Sequence, residues 1–175
     1  MRSYIATALT ITALTLGLTH IPSTARAFCF QEAAARYNVA PELVWSISKH
    51  ESGLNPAAIN WNTDGSYDFG LMQINSIHAD DLRKAGIAWE SLADPCTNVM
   101  VGTWLLSQRI REYGYTWKAI GAYHSKTPSK RDRYAQSIAK LLSTINAKTP
   151  VASQHQTNNM QTLVWGQTHN GTSDR

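Results

Sequence analysis

Between residues 30 and 145 the apolar positions recur mostly at helical spacing. Phe30, Ala33, Ala34 and Tyr37 share one face of a short helix, and Asn38-Val39 breaks it. Leu43, Val44 and Ile47 form the stripe of a second helix, Pro41 to Ser52. Proline suits its first position and Glu42 its first turn. Gly53 stops it, and Asn55-Pro56 prevents continuation. Val99, Leu106, Ile110 and Tyr113 mark a long helix, Pro95 to Tyr113, between Asp94-Pro95 and Gly114. It is expected to be central and buried, with Gly102 letting another helix pack tightly. Shorter helices are predicted at Asp80 to Ala85 and, capped by Thr116, at Trp117 to His124. Tyr134, Ile138, Leu141, Leu142 and Ile145 give a last helix an apolar face, from Thr127-Pro128 to near Ala147. Trp89 and Leu92 read as core.

One stretch departs from this period. Ala57 to Phe69 reads as an irregular β hairpin, with Ile59, Trp61, Tyr67 and Phe69 flanking the turn Asn62-Thr63-Asp64-Gly65. Asp-Gly tolerates the positive φ such a turn requires. The expected class is therefore mainly α (α+β), a helical domain carrying one small hairpin. The 175 residues, 43% of them hydrophobic, make one domain and show no internal repeat.

The two ends stand apart from that domain, which is expected over residues 28–147. Arg2, the uncharged run Ile5 to Leu18, and Ala25-Arg26-Ala27 spell a secretory signal peptide over residues 1–27. The run is shorter than the ~20 residues a membrane span needs. Residues 148–175 are rich in Gln, Asn and Thr and read as a disordered tail. Of the 16 Lys and Arg, Arg2 and Arg26 leave with the signal peptide, so 14 remain against 12 acidic residues. A surplus of two suits an acidic polymer or anionic surface and is too small to argue for nucleic acid. Cys29 and Cys96 are the two cysteines. In an exported chain they are expected to pair, with Cα atoms about 4.4–6.8 Å apart. Two buried thiols are the alternative.

Candidate chemistry begins at Glu51. It lies four residues beyond Ile47 and so continues the apolar stripe into the last turn, where unpaired carbonyls make the potential negative. Both effects raise a carboxyl pKa, and an acid still protonated near neutrality can protonate a leaving oxygen. The plainer reading is a glutamate turned to solvent or paired with a base. A second carboxylate, Asp68, follows. Gln73 and Asn75 offer amides that either bind sugar hydroxyls or hold a buried turn together. Asn60, Asn62, Asp64, Gly65 and Asp68 partly match a calcium loop, but such a loop opens with Asp and closes with Glu, where this chain has Asn60 and Leu71. Arg109, Arg111 and Glu112 are expected to face water. Lys126, Lys130, Arg131 and Arg133 oppose the dipole of the last helix and read as a solvated face, with contact to carboxylates of an acidic polymer as the sharper alternative.

Glu51-Ser-Gly-Leu-Asn-Pro followed by Gly70-Leu-Met-Gln-Ile-Asn75 resembles the opening motifs of the lytic transglycosylases with a lysozyme-like fold. The likeness is to their small, single-domain members that accompany secretion and conjugation machines. The stretch is also similar to the active site of c-type lysozymes, with Glu51-Ser52, then Asp68, then Gly70 and Gln73 to Ser76. Tyr123 resembles the tyrosine of an Ala-Tyr-Asn motif whose hydroxyl lies near the catalytic acid; His124 stands where that asparagine is common. The resemblance implies a substrate, the glycan strand of peptidoglycan, and a bond, the one after N-acetylmuramic acid. It makes Glu51 the acid and then the base that closes a 1,6-anhydro ring, with no metal or cofactor. Asp68 becomes a stabiliser of the oxocarbenium-like state, or else a structural residue of the hairpin. Gln73 becomes a cleft residue. Tyr123 could still be plain core, and His124 is a cleft or structural residue rather than a base. It implies a periplasmic or envelope monomer with a secretion or conjugation apparatus as partner, for which Leu163-Val164-Trp165 is a candidate anchor. A lysozyme-type hydrolase and a non-catalytic glycan-binding scaffold are the rival readings.

Overall fold

The computed structural model describes residues 28–146, so the expected signal peptide and tail lie outside the described residues. Its helices are α1 (Phe30–Tyr37), α2 (Pro41–Ser52), α3 (Ala79–Lys84), α4 (Pro95–Tyr113), α5 (Trp117–His124) and α6 (Pro128–Asn146). Its strands are β1 (Ile59–Trp61), β2 (Tyr67–Phe69) and β3 (Ile74–Asn75), and 3-10 turns cover Ser76–His78 and Trp89–Ala93.

The helix ends follow from their capping residues. Pro41 and Pro95 open α2 and α4 at positions where a missing N–H costs nothing. The Asp94 carboxylate accepts from Thr97 N at 2.8 Å, and the Thr116 hydroxyl accepts from Ala119 N at 3.3 Å. Gly53, at φ 66°, closes α2 and donates to Lys49 O. The short helix α3 begins and ends one residue earlier than the sequence suggests, with Ala85 as its cap.

Leu43, Ile47, Val99, Leu106, Ile120 and Ile138 are fully buried and join α2, α4, α5 and α6 in one core. Truncating one of them to alanine costs roughly 2–5 kcal/mol. The helix α4 is central, since α1, α2, α5 and β3 all pack on it. Tyr113 at its end does not join this core; Lys118 Nζ lies 4.7 Å over its ring. The close approach at Gly102 is also not to a helix. A Cβ there would sit 2.5 Å from Met72 Sδ, so the missing side chain admits a loop. The tight helix crossing is at Gly121, where a Cβ would come 2.3 Å from the Arg131 carbonyl oxygen of α6.

The expected hairpin is a three-stranded antiparallel sheet, ordered β1-β2-β3. Asn60 opposes Asp68, and Asp68 opposes Asn75. A two-residue strand leaves no periodicity to read, which is why β3 passes for loop in the sequence. A second, smaller core of Ile74, Leu82, Leu92 and Val101 sits under the sheet, with Trp89 only half-buried against it. Cys29 and Cys96 are disulfide-bonded, with Cα atoms 5.2 Å apart. The bond ties the start of α1 to the first turn of α4 and closes a loop of 67 residues. Such a loop is worth about 4 kcal/mol if chain entropy is the source. Among the described residues no helix is long and apolar enough to cross a membrane.

Candidate active site

The sheet stands across from α4 and α5, and between them runs a cleft of about 670 Å³. Glu51, Asp68, Gln73, Asn75, Tyr123 and His124 all line it. Arg109 and Lys126 line it too. The expectation that Arg109 simply faces water is therefore corrected: its side chain borders the cleft and donates to Glu112 Oε2 at 2.7 Å. Lys126 Nζ donates to the other oxygen of Glu112 at 3.0 Å. One carboxylate thus fastens two cations on the helical rim, and Lys126, the Tyr113 hydroxyl and Arg109, in that order, hold it down to about 2.

The last turn of α2 carries Glu51 into the cleft because residues 43, 44 and 47 of the same stripe are locked in the core. Burial pushes the Glu51 carboxyl up to about 7, and the negative charge of Asp68 adds to the rise. The Tyr134 hydroxyl donates to Glu51 Oε1 at 2.6 Å, which pulls the other way by favouring the charged form. A carboxyl poised there is half protonated near neutral pH and can both give and take a proton. This is the environment that the sequence reading anticipated, and the exposed or base-paired glutamate is not what forms.

Tyr134 is the residue that the sequence reading missed. Its place in the sequence is on the apolar face of α6, yet its hydroxyl is the one on Glu51. The available signal is a lone hydroxyl on a stripe otherwise made of Ile138, Leu141, Leu142 and Ile145. Tyr123, expected near the acid, donates instead to Met72 O at 2.7 Å. It is close enough for the Glu51 charge to help raise its phenol, after burial. Its hydroxyl holds the cleft loop rather than the carboxylate. His124 stacks on the Tyr134 ring, with centroids 5.0 Å apart and planes 3° from parallel. His50 meets the same ring edge-on at 5.1 Å. Burial lowers both imidazoles, so each favours its neutral form beside the acid.

The loop between β2 and β3 is held from below. Gly70 has φ 80°, and a Cβ there would lie 2.1 Å from Asn98 Nδ2. The buried Asn98 amide fills that space, donating to Phe69 O at 3.1 Å and accepting from Met72 N at 2.9 Å. Ser52 Oγ donates to Leu71 O at 2.9 Å and so ties the loop to the end of α2. Gln73 adopts φ 48°, a left-handed conformation that costs a non-glycine residue roughly 1 kcal/mol or more. Its amide nitrogen donates to Gly70 O and Ala58 O at 2.8 and 3.2 Å, and its oxygen accepts from Asn60 Nδ2. The turn-stabilising reading of this amide is the one that the geometry shows, on a residue that still borders the cleft.

Asp68 is held in the same manner. Asn75 Nδ2 donates to one oxygen at 2.8 Å and Asn62 Nδ2 to the other at 3.1 Å. Asn75 Oδ1 in turn accepts from Ile77 N at 2.9 Å and caps the following 3-10 turn. The hairpin role and the cleft role of Asp68 thus coincide. Asn62 and Asp64, part of the calcium-like pattern, spend their side chains within the hairpin turn.

Comparison with known proteins agrees with this arrangement. Residues 28–144 match the transglycosylase SLT domain. The chain is 46% identical over 121 residues to invasion protein IagB of Salmonella typhimurium, covering 66% of this chain and 76% of that one. It is 38% identical over 137 residues to protein IpgF of Shigella flexneri, covering 75% and 90%. Among solved structures it is similar to an inactive glutamate-to-glutamine mutant of the lytic transglycosylase Slt of Pseudomonas aeruginosa. The TM-score is 0.57 at 20% identity, over 77% of this chain and 26% of that one, so the likeness is one of fold. A lysozyme-like, mainly α domain with a small sheet beside a carboxylate cleft, matched by one family over most of its described length, places this chain among the SLT-domain enzymes: it is a small peptidoglycan lytic transglycosylase.

Proposed function

We propose that the chain cuts the β-1,4 bond between N-acetylmuramic acid and N-acetylglucosamine and leaves a 1,6-anhydro end. The observation that carries this is the buried Glu51 at about 7, bonded to the Tyr134 hydroxyl inside the cleft. Its protonated form gives a proton to the glycosidic oxygen as that bond breaks. The resulting carboxylate takes the proton of the muramyl C6 hydroxyl, whose oxygen closes on C1. The proton gained equals the proton lost, and water is not consumed. Acid–base help of this kind is worth about 10²–10⁴-fold. Asp68 supplies negative charge to the oxocarbenium-like state from across the cleft. Gln73 and Asn75 fix the sheet side of the cleft, and Tyr123 and His124 the helical side.

One observation keeps hydrolysis as a second reading. Asp68 faces the same cleft as Glu51, which is the two-carboxylate layout of glycosidases. Mass spectrometry of muropeptides after digestion separates the two: anhydro ends support the transglycosylase, and hydrated reducing ends overturn it.

The site of action under this proposal is the periplasm or envelope, reached through the signal sequence at residues 1–27. The relatives named for invasion suggest a protein secretion apparatus as partner, with cleavage opening the wall locally. Truncation after Lys148 tests the tail as the docking element. Normal cleavage with lost secretion supports it, and normal secretion assigns the docking to the domain surface.

A further inference from the structure

We infer that the exposed edge of the sheet, on the face turned away from the cleft, is a second, non-catalytic contact for the glycan, centred on Trp61. The inference rests on the reading that the substrate is a peptidoglycan strand. Among the described residues the exposed large apolar side chains are Trp61, Ile77 and Ile59, at 74%, 69% and 52%. They are not scattered. Ile59 and Trp61 lie on β1, and Ile77, in the 3-10 turn that follows β3, lines the cleft itself. An isolated exposed apolar residue needs no explanation, but a group beside a binding cleft does.

The alternation of β1 fixes which way Trp61 faces. Asn60 and Asn62 line the cleft, so Ile59 and Trp61 lie on the opposite face of the strand. The indole is not loose there. Its ring rests on Tyr67, the residue opposite it in β2, with centroids 5.0 Å apart and planes at 45°. Tyr67 in turn meets Trp89 edge-on at 5.7 Å, and Trp89 packs on the smaller core. Three aromatic rings thus run from the core to solvent, each propping the next. The outermost presents its surface at the edge strand, where neither packing nor strand pairing requires a tryptophan.

The chemistry of the surroundings selects the occupant. A pyranose ring has an apolar face of C–H groups, and a flat, exposed indole offers a surface that matches it. Asn60 and Asn62 point to the cleft face and spend their amides on Gln73, Ser66 and Asp68, so the ring face itself is what a sugar would meet. An anionic lipid surface would call for Lys or Arg, and none occurs between Gly53 and Leu82. The site adjoins the cleft through β1, whose opposite face carries the cleft-lining Asn60. Peptidoglycan is a mesh of strands, so sugars lie outside the cleft whenever one strand occupies it. The contact holds the enzyme to that mesh and adds nothing to bond breaking.

The test uses the Glu51→Gln background, so that substrate is bound and not consumed. Co-sedimentation with purified sacculi is compared with binding of a short soluble glycan, a tetrasaccharide of the same repeat. Trp61→Ala should weaken sacculus binding about 10-fold, and at least about fivefold more than it weakens tetrasaccharide binding. Trp61→Tyr, which keeps a ring, should recover most of the loss. Equal losses on both ligands would make Trp61 a prop of the cleft and overturn the inference. So would a Trp61→Ala variant that sediments like its parent, including one that instead loses binding to a protein partner. If the parent itself does not sediment with sacculi, the glycan reading fails with it; if only the tryptophan variant is indifferent, the second contact fails alone.

Discussion

Glu51 stands on the helical side of the cleft and receives the hydroxyl of Tyr134, whereas Asp68 stands on the sheet side and receives two amides, from Asn75 and Asn62. The first is embedded among aromatic rings at the end of a core helix, and burial raises its pKa. The second belongs to a lattice of short polar side chains on two- and three-residue strands. Neutral amides hold its charge in place without cancelling it. The same functional group is therefore buried and raised in pKa on one side and clasped by amide donors on the other. The difference comes from the type of element carrying it. A helix of 12 residues with a buried stripe can carry a polar group into the core's edge. A two-residue strand has no core of its own and must be knitted by side chains.

The largest effect that breaks the comparison is Glu51→Gln, which keeps the shape and removes the proton. Peptidoglycan cleavage should fall at least about 10²-fold with unchanged circular dichroism. The same variant should be more stable than wild type at alkaline pH. The folded carboxyl titrates at about 7 against 4.5 unfolded, so the native state keeps its proton longer. Stability then declines as pH rises through that window, by about 3 kcal/mol once pH exceeds 7. The gain in Tm from Glu51→Gln should thus appear at pH 8 and vanish near pH 4. An equal gain at both would show that burial does not set the pKa.

The sheet side is broken by Gly70→Ala. A positive φ and a Cβ driven into Asn98 together cost roughly 3 kcal/mol. Gly65→Ala is the control, with φ 85° and open space around it, and should cost roughly 1 kcal/mol. Denaturant melts of the two variants check the difference. Equal values would mean that the Asn98 contact can yield.

Tyr134→Phe sharpens the helical side. It removes the donor that favours ionised Glu51, so the Glu51 pKa rises further and the alkaline limb of the rate profile moves to higher pH. The rate at the optimum should fall roughly 10-fold as the carboxyl loses its fixed orientation. Tyr123→Phe is the contrast: its hydroxyl serves the Met72 carbonyl, so the limb should stay closer to that of wild type.

Much of this was legible in the chain. The bounds of α1, α2, α4 and α5 follow from apolar stripes ended by Pro, Asp, Thr and Gly, signals that act within one helical turn. Glu51 was legible for the same reason, because a stripe position is a local fact. What was hidden depends on distant residues. Which tyrosine reaches Glu51 is decided by the packing of α6 on α2, 83 residues apart in sequence. That Gly102 admits Met72 rather than a helix depends on a loop 30 residues earlier, whose path Asn98 sets. The third strand was hidden because its pairing, not its composition, defines it.

The smallest expected effect belongs to Asp68→Asn. Its charge is the last of the causes that raise Glu51, behind burial, so removing it should move the alkaline limb slightly down. The replacement is not silent in the lattice. An asparagine has one oxygen where Asp68 offers two, so it can satisfy Asn75 or Asn62 but must turn its own NH₂ toward the other. Some rate loss could therefore arise from a disturbed sheet alone. Asn62→Ala separates the terms, since it loosens the same lattice while leaving the carboxylate and its bond to Asn75. If Asp68 stabilises the developing positive charge, Asp68→Asn should lower the rate roughly fivefold more than Asn62→Ala and shift the limb downward, while Asn62→Ala leaves the limb in place. Equal rates for the two variants, with no shift in either, would reduce Asp68 to a clasp of the hairpin and leave Glu51 as the one working carboxylate of the cleft.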